Sequence, residues 1–280
     1  MRYYYLDTNI YIYTLDNQSI IDTVTDLKSK GIGVLYSPAH IEEIYRAQAD
    51  NTELLMDRIS TITDDMECLP GENGVVVRKE KLKNCYYKVA RYDTRQLIQS
   101  RGEEKNYINK EFRLLLNTFD KKMRFLSNLD CIEIWNYSYI QDSIKSFNEN
   151  IKFYKEKYNN SGQKLPDNLQ LKKQNYDNIS QSFSALECCM EYLFGLLELF
   201  GYNADKKEKT ISGIHDVTHA IYATKAEKLL TADKRFAKRC KAVYAYLGVP
   251  TEVILCDTKN ISEILKNVEI DMRISNKCLL

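Results

Sequence analysis

The sequence predicts an α/β fold with a parallel sheet, interrupted by a large helical insertion, and three observations carry that expectation. Short apolar runs alternate with helical patterns at both ends of the chain, as they do in βαβ units. Each end alone is too small to make a complete sheet, so the two are expected to complete one another. The middle of the chain shows long runs of helical periodicity instead. The expected architecture is a three-layer α/β/α domain built from residues 1–69 and 206–280, with an all-helical insertion over residues 70–205.

The elements follow in order. Residues 2–6 (RYYYL) are a strand, and Asp7, Thr8 or Asn9 can cap a helix over Ile10 to Leu15. A second strand runs from Gly33 to Tyr36. Ser37-Pro38 then starts a helix that continues as AHIEEIYRAQ, with Ser as cap and Pro at the first helical position. Pro70-Gly71 and Asn73-Gly74 mark a break. The insertion beyond it carries the helical patterns YYKVARYDTRQLIQS, FRLLLNTFDKKMRFLSNL and ISQSFSALECCMEYLFGLLELFGY. After the helix HDVTHAIYATKAEK, Leu229-Leu230-Thr231 is a third strand, followed by the basic helix DKRFAKRCKAVYAYL and a break at Gly248-Val249-Pro250. EVILC (252–256) is a fourth strand and ISEILKN a closing helix.

The 280 residues are enough for one large domain or two ordinary ones, and 44% hydrophobic with 28% charged residues is a globular composition. No apolar run approaches the roughly 18 residues of a membrane span. The N-terminus has no secretion-signal pattern, so a cytoplasmic location is expected. The eight cysteines form no CxxC pair, so they are expected as small core hydrophobes in a reducing compartment, not as a zinc site. The net charge of +1 hides a division: residues 1–69 carry 5 Lys and Arg against 12 Asp and Glu, a net of −7. Residues 70–213 carry 24 against 19, and residues 214–280 carry 11 against 8. An acidic segment beside basic ones suits an acidic centre within a surface that attracts a polyanion.

Carboxylates recur where the strands end. Asp7 follows the first strand, Glu43 lies in the helix after the second, Asp233 follows the third in LLTAD, and Asp216 opens the helix before it in GIHDVTHA. The carboxyl ends of parallel strands form one rim, where open α/β sheets bind ligands. Carboxylates gathered there repel, since two unit charges 4 Å apart cost about 4 kcal/mol at an effective dielectric near 20. A divalent cation neutralises such a cluster, and oxygen-only ligands select Mg²⁺ or Mn²⁺ over zinc. An ion of that kind also binds phosphate oxygens and activates water for attack on a phosphodiester.

LDTN, SPAHIEEI, DVTHA and LLTADKRF, in that order, resemble the motifs of PIN-domain nucleases, a family that includes the VapC-type toxins of bacterial toxin–antitoxin systems. The resemblance covers roughly residues 1–60 and 210–258, and the long insertion departs from the small toxins. It implies that Asp7, Glu43, Asp216 and Asp233 are catalytic and bind one or two Mg²⁺ or Mn²⁺ ions, with Glu42 an adjacent alternative to Glu43. It implies supporting roles for Asn9, Ser37 and Thr231. The activity so implied is an endoribonuclease acting as a toxin or growth-arresting effector, with an antitoxin, a regulatory protein or a second copy of the chain as candidate partners. A catalytically inactive scaffold and a DNA-directed nuclease are the alternatives.

His215 and His219 stand four residues apart on one helix, a spacing that also fits zinc but needs a third ligand facing it. His40 is expected on a helix surface. Lys234, Arg235, Lys238 and Arg239 form a basic stripe just past Asp233, a candidate track for substrate phosphates. Lys83, Tyr86, Tyr87, Lys88, Arg91, Tyr92 and Arg95 interleave charge with rings able to stack on unpaired bases, which points to single-stranded RNA.

Overall fold

The computed structural model describes residues 2–47, 50–92, 126, 129–204, 210–257 and 260–266. A four-stranded parallel sheet of order β2-β1-β5-β6 organises the chain, with β1 Arg2–Leu6, β2 Ile32–Leu35, β5 Lys228–Thr231 and β6 Glu252–Leu255. Tyr4 and Tyr5 of β1 pair with Val34 and Leu35 on one side, and with Lys228 and Leu229 on the other. The central strand therefore comes from the first residues of the chain and joins an N-terminal neighbour to two C-terminal strands.

The pleat sorts side chains between two cores, because successive residues of a strand face opposite sides. Tyr5, Leu35, Leu229 and Val253 enter one apolar cluster, whereas Tyr4, Leu6, Val34 and Leu230 enter the other. The second cluster is closed by α1 Thr8–Tyr13, α2 Gln18–Ser29, α4 Thr52–Thr63 and the short helix 261–266. α2 and α4 were not among the helices the sequence predicted. The first cluster takes in α10 Thr210–Ala223 and α11 Lys234–Leu247 together with the insertion. Among the described residues no helix is long and apolar enough to cross a membrane. The cysteines described here are free, and all but Cys131 are buried.

The expectation of a purely helical insertion, and of a single sheet, is corrected by a second, two-stranded sheet. β3 Met66–Gly71 and β4 Gly74–Lys79 form an antiparallel hairpin across residue 70. Pro70-Gly71 and Asn73-Gly74 mark a tight turn instead of a boundary, and Val75, Val76 and Val77 supply the strand propensity beyond it. The hairpin continues the main sheet past its β2 edge. Tyr36 N donates to Met66 O at 3.0 Å, and Cys68 N donates to Tyr36 O at 2.8 Å. α3 Pro38–Ala47 and α5 Leu82–Tyr92 lie on either side of this hairpin in the sequence.

The rest of the insertion comprises α6 Ser138–Glu149, α7 Ile151–Asn160, α8 Tyr176–Ile179 and α9 Phe183–Leu199. The predicted helix over FRLLLNTFDKKMRFLSNL, and the end of the one starting at Tyr86, lie outside the described residues apart from Leu126 and Leu129. The insertion packs into the α/β core instead of standing apart from it. Trp135, 2% exposed, donates its indole N–H to Ala242 O at 2.8 Å, and Gln174 N donates to Tyr246 O at 2.8 Å.

The hairpin meets the insertion at Gly74, which has φ +85°, and a Cβ built there would lie 2.0 Å from the backbone oxygen of Ser180. Gly74→Ala is therefore expected to cost more than about 1 kcal/mol in urea unfolding. Gly195→Ala, on α9 with open space around it, should be neutral or gain up to about 1 kcal/mol. Equal effects at the two positions would contradict this packing.

Candidate metal centre

Asp7 stands directly after the central strand, where its own amide continues the sheet by donating to Leu230 O at 2.9 Å. The side chain does two things at once. Oδ1 accepts the Thr8 amide at 2.8 Å and so caps α1, while Oδ2 accepts the Thr231 hydroxyl at 2.7 Å. Thr231 Oγ1 in turn accepts the Asp233 amide at 3.0 Å. Only 6% of Asp7 is exposed, and burial raises its pKa, an effect reinforced by Glu43 and opposed by His219 and the two hydrogen bonds.

Two side chains close on Asp7 from helices on the same rim. Glu43 comes from α3 and His219 from α10, and their Nε2 and Oε2 atoms are 3.2 Å apart. Ligand atoms of Asp7, Glu43 and His219 all lie within 4.8 Å of one another, which makes them able to hold one metal ion. Burial works against charge on both partners of the His219–Glu43 pair, but their mutual attraction prevails. The Glu43 pKa is lowered, helped by a hydrogen bond from Thr8, and that of His219 is raised by Glu43, Asp7 and Asp216.

A buried hydrogen-bond chain orients His219. His40 Nδ1 accepts the Ser37 amide at 3.0 Å, which assigns the ring proton to Nε2, and Nε2 donates to Leu6 O at 2.8 Å. Ser37 Oγ is then free to donate to His40 Nδ1 at 3.2 Å and to accept from Tyr5 OH at 2.7 Å. Tyr5 OH in turn accepts from His219 Nδ1 at 2.7 Å. With Tyr5 OH accepting, Nδ1 carries a proton; Nε2 faces Glu43 Oε2 at 3.2 Å, donating to it when the ring is protonated and turning a lone pair toward Asp7 and Glu43 once that proton is lost. Partners that fix the tautomer of a histidine are a common feature of metal ligands.

The structure thus brings together Asp7 and Glu43 of the four predicted carboxylates and leaves the other two with different partners. Asp216 Oδ2 accepts from the Arg239 guanidinium at 2.5 Å. Asp233 caps α11, its Oδ1 accepting the amides of Arg235 and Phe236 at 2.7 and 2.9 Å. Arg239 is only 2% exposed, so the basic stripe narrows to Lys234, Arg235 and Lys238. Ser37 and Thr231 take hydrogen bonds within the centre, whereas Asn9 is exposed and Thr8 occupies the buried position beside His219. His40, expected on the surface, is fully buried. Lys83 pairs with Asp57 and Tyr87 is exposed, while the Tyr92 side chain and Arg95 lie outside the described residues.

His219 was noticed in the sequence only through its spacing from His215. The carboxylates that face it, Asp7 and Glu43, come from segments more than 170 residues away, and no local pattern signals them. Comparison of the chain with protein-family models, curated proteins and solved structures finds no match.

The histidines make stability depend on pH. Burial lowers His40 to about 3 and His215 to about 4, both below the ordinary 6.5 of the unfolded chain. Between those values the unfolded state binds more protons, so acid destabilises the fold from about pH 6.5 downward. Each such histidine contributes a slope of up to about 1.4 kcal/mol per pH unit. His219, with its raised pKa, acts in the opposite sense: its stabilisation is full below the unfolded pKa and lost as pH rises through the folded one. Urea unfolding between pH 6 and pH 5 should therefore show a shallower loss in His40→Gln than in the parent, and identical slopes would contradict the neutral buried state.

Proposed function

We propose that the chain is a divalent-metal-dependent nuclease with a PIN-like three-layer core, acting on single-stranded nucleic acid and on RNA in particular. The observation that carries this reading is the convergence of Asp7, Glu43 and His219 at the carboxyl rim of the parallel sheet. Two carboxylates and an imidazole fit a divalent ion, and the nitrogen ligand favours Mn²⁺ over Mg²⁺ within the expected pair. Such an ion supplies charge neutralisation at a phosphodiester and a more acidic water.

The protein's own residues account for the rest. Asp7 is held in place by Thr8 and Thr231, and His219 by the chain through Tyr5, Ser37 and His40. The His219 Nε2 must be unprotonated to bind metal, so metal and proton compete there and affinity rises with pH. Lys234, Arg235 and Lys238 lie on α11, which begins beside Thr231, and provide a positive face for phosphates that the carboxylates would otherwise repel. The roles as toxin, with an antitoxin to restrain it, rest on the motif resemblance alone.

A second reading, a metal-binding scaffold without cleavage, is favoured by one observation: Asp216 is paired with Arg239 and Asp233 caps its helix, which leaves fewer carboxylates for an ion. One assay separates the two readings. The full chain with Mn²⁺ should cut end-labelled single-stranded RNA faster than DNA and be silent with EDTA. Asp7→Asn should lower the rate by roughly 100-fold or more, the size of effect that loss of a key electrostatic group produces. Cleavage by Asp7→Asn at the parent rate would overturn the nuclease assignment, and metal binding without cleavage would establish the scaffold.

A further inference from the structure

The insertion meets the α/β core along the C-terminal half of α11, and a cleft of about 520 Å³ opens at that junction. Its volume lies within the range of small-ligand sites, which favour the seams between structural units. Trp135, Ile144, Leu171 and Tyr246, all buried, give it an apolar floor. The two aromatic rings lie 4.8 Å apart and are inclined at 43°. The exposed Lys145, Lys172 and Lys173 line the same cleft. Glu149, 3.8 Å from Lys145, offsets one of these charges, whereas Lys173 donates to the neutral Asn136 Oδ1 at 3.3 Å and keeps its own. An apolar floor under excess positive charge is the complement of a nucleotide, with its flat base and anionic phosphate.

The position of the cleft says which nucleotide. α11 starts beside the metal centre, and its sequence KRFAKRCKAVYAYL contains no Asp or Glu. Lys234, Lys238, Lys241 and Ala245 follow one another at spacings of four, three and four, so they share one face. Lys234 and Lys241 are exposed and Lys238 is partly exposed. That face ends at the cleft: Ala245 O accepts from Gln174 Nε2 at 3.0 Å, and Gln174 follows Lys173 in the chain. At 1.5 Å per residue, Lys234 and Ala245 stand about 16 Å apart along the helix. A strand stacked at about 3.4 Å per nucleotide covers that distance in roughly five nucleotides.

We infer that the cleft is a base-binding subsite, taking one unpaired base and its phosphate from the strand, roughly five nucleotides from the bond held at the rim. The inference rests on reading the chain as a nuclease of single-stranded nucleic acid, and it gives the insertion a part in choosing the substrate. The base covers the Trp135–Tyr246 floor, Lys172 and Lys173 hold its phosphate, and the lysines of α11 carry the backbone between. Stacking on aromatic side chains tolerates any base, so the subsite selects for an unpaired strand more than for a sequence.

Trp135 is the sole tryptophan of the chain, so its fluorescence reports on the cleft alone. Titration of the full chain in EDTA separates binding from cleavage. Single-stranded oligoadenylate long enough to reach the cleft from the rim should change the Trp135 emission. AMP should do so at higher concentration, and ribose 5-phosphate should not. Lys172→Ala combined with Lys173→Ala should weaken oligoadenylate binding and flatten its salt dependence by about 1.4 in slope, two phosphate contacts at about 0.7 each. Lys152→Ala combined with Lys157→Ala removes the same charge from exposed positions outside the cleft and should keep the parent slope. Emission unmoved by oligoadenylate, or a parent slope in the Lys172 and Lys173 variant, would overturn the subsite. AMP binding more tightly than the strand would assign the cleft to a free nucleotide, and ribose 5-phosphate acting as well as AMP would reduce it to an anion contact; either result overturns the inference. Cleavage in Mn²⁺ by a chain whose Trp135 does not respond would remove the subsite alone, whereas a Trp135 response without cleavage would keep the subsite and remove the nuclease reading.

Discussion

Asp7 buried at the end of the central strand is the constraint on which the rest of the structure depends. A carboxylate taken out of water is destabilising unless hydrogen bonds or opposite charge compensate it. The fold provides both from separate parts of the chain. Thr8 and Thr231 donate to it, and His219 approaches with the opposite charge when protonated. Each of these requires a distinct element: α1 must start at once, β5 must pair beside β1, and α10 must cross the rim. The sheet order β2-β1-β5-β6 meets the second condition by seating β1 between strands from the two ends of the chain. A metal ion would take over the compensating role of the His219 proton.

The insertion serves this arrangement by burying the other face of α10 and α11. Its core is continuous with the sheet cluster that contains Tyr5, and the hairpin β3–β4 bonds to the end of β2 beside Ser37. Tyr5 therefore belongs to two systems. Its ring packs in the larger core, while its hydroxyl sits between Ser37 and His219 in the chain that orients the His219 ring. A disturbance of the insertion core can reach the site through this side chain without touching a ligand.

Much of the α/β frame was legible in the sequence, because alternating strands and helices leave strong patterns at each end. The place of Asp7 on the rim was legible because it directly follows a strand, and that of Glu43 from its position in the helix after the second strand. The fates of Asp216 and Asp233 were not, since motif order gives a backbone position and not a side-chain partner. Arg239, read as part of a basic stripe, faces α10 and is buried against Asp216. His219 was underestimated because a spacing of four residues is common and its facing ligands are far off in sequence. The hairpin was missed because Pro70-Gly71 and Asn73-Gly74 signal a turn without saying what flanks it. His40, flanked by apolar residues on α3, carried a helix-face pattern that did not reveal its burial.

The central claim is that Asp7, Glu43 and His219 together bind a divalent ion in the folded state. Thermal melting of the full chain in Mn²⁺ and in EDTA tests it most directly. An ion present at 100 times its Kd stabilises the native state by about 2.7 kcal/mol, which is a rise of several degrees in Tm. The account predicts that rise in the parent and its loss or sharp reduction in both Asp7→Asn and His219→Gln. A parent indifferent to Mn²⁺, or variants stabilised as much as the parent, would contradict it.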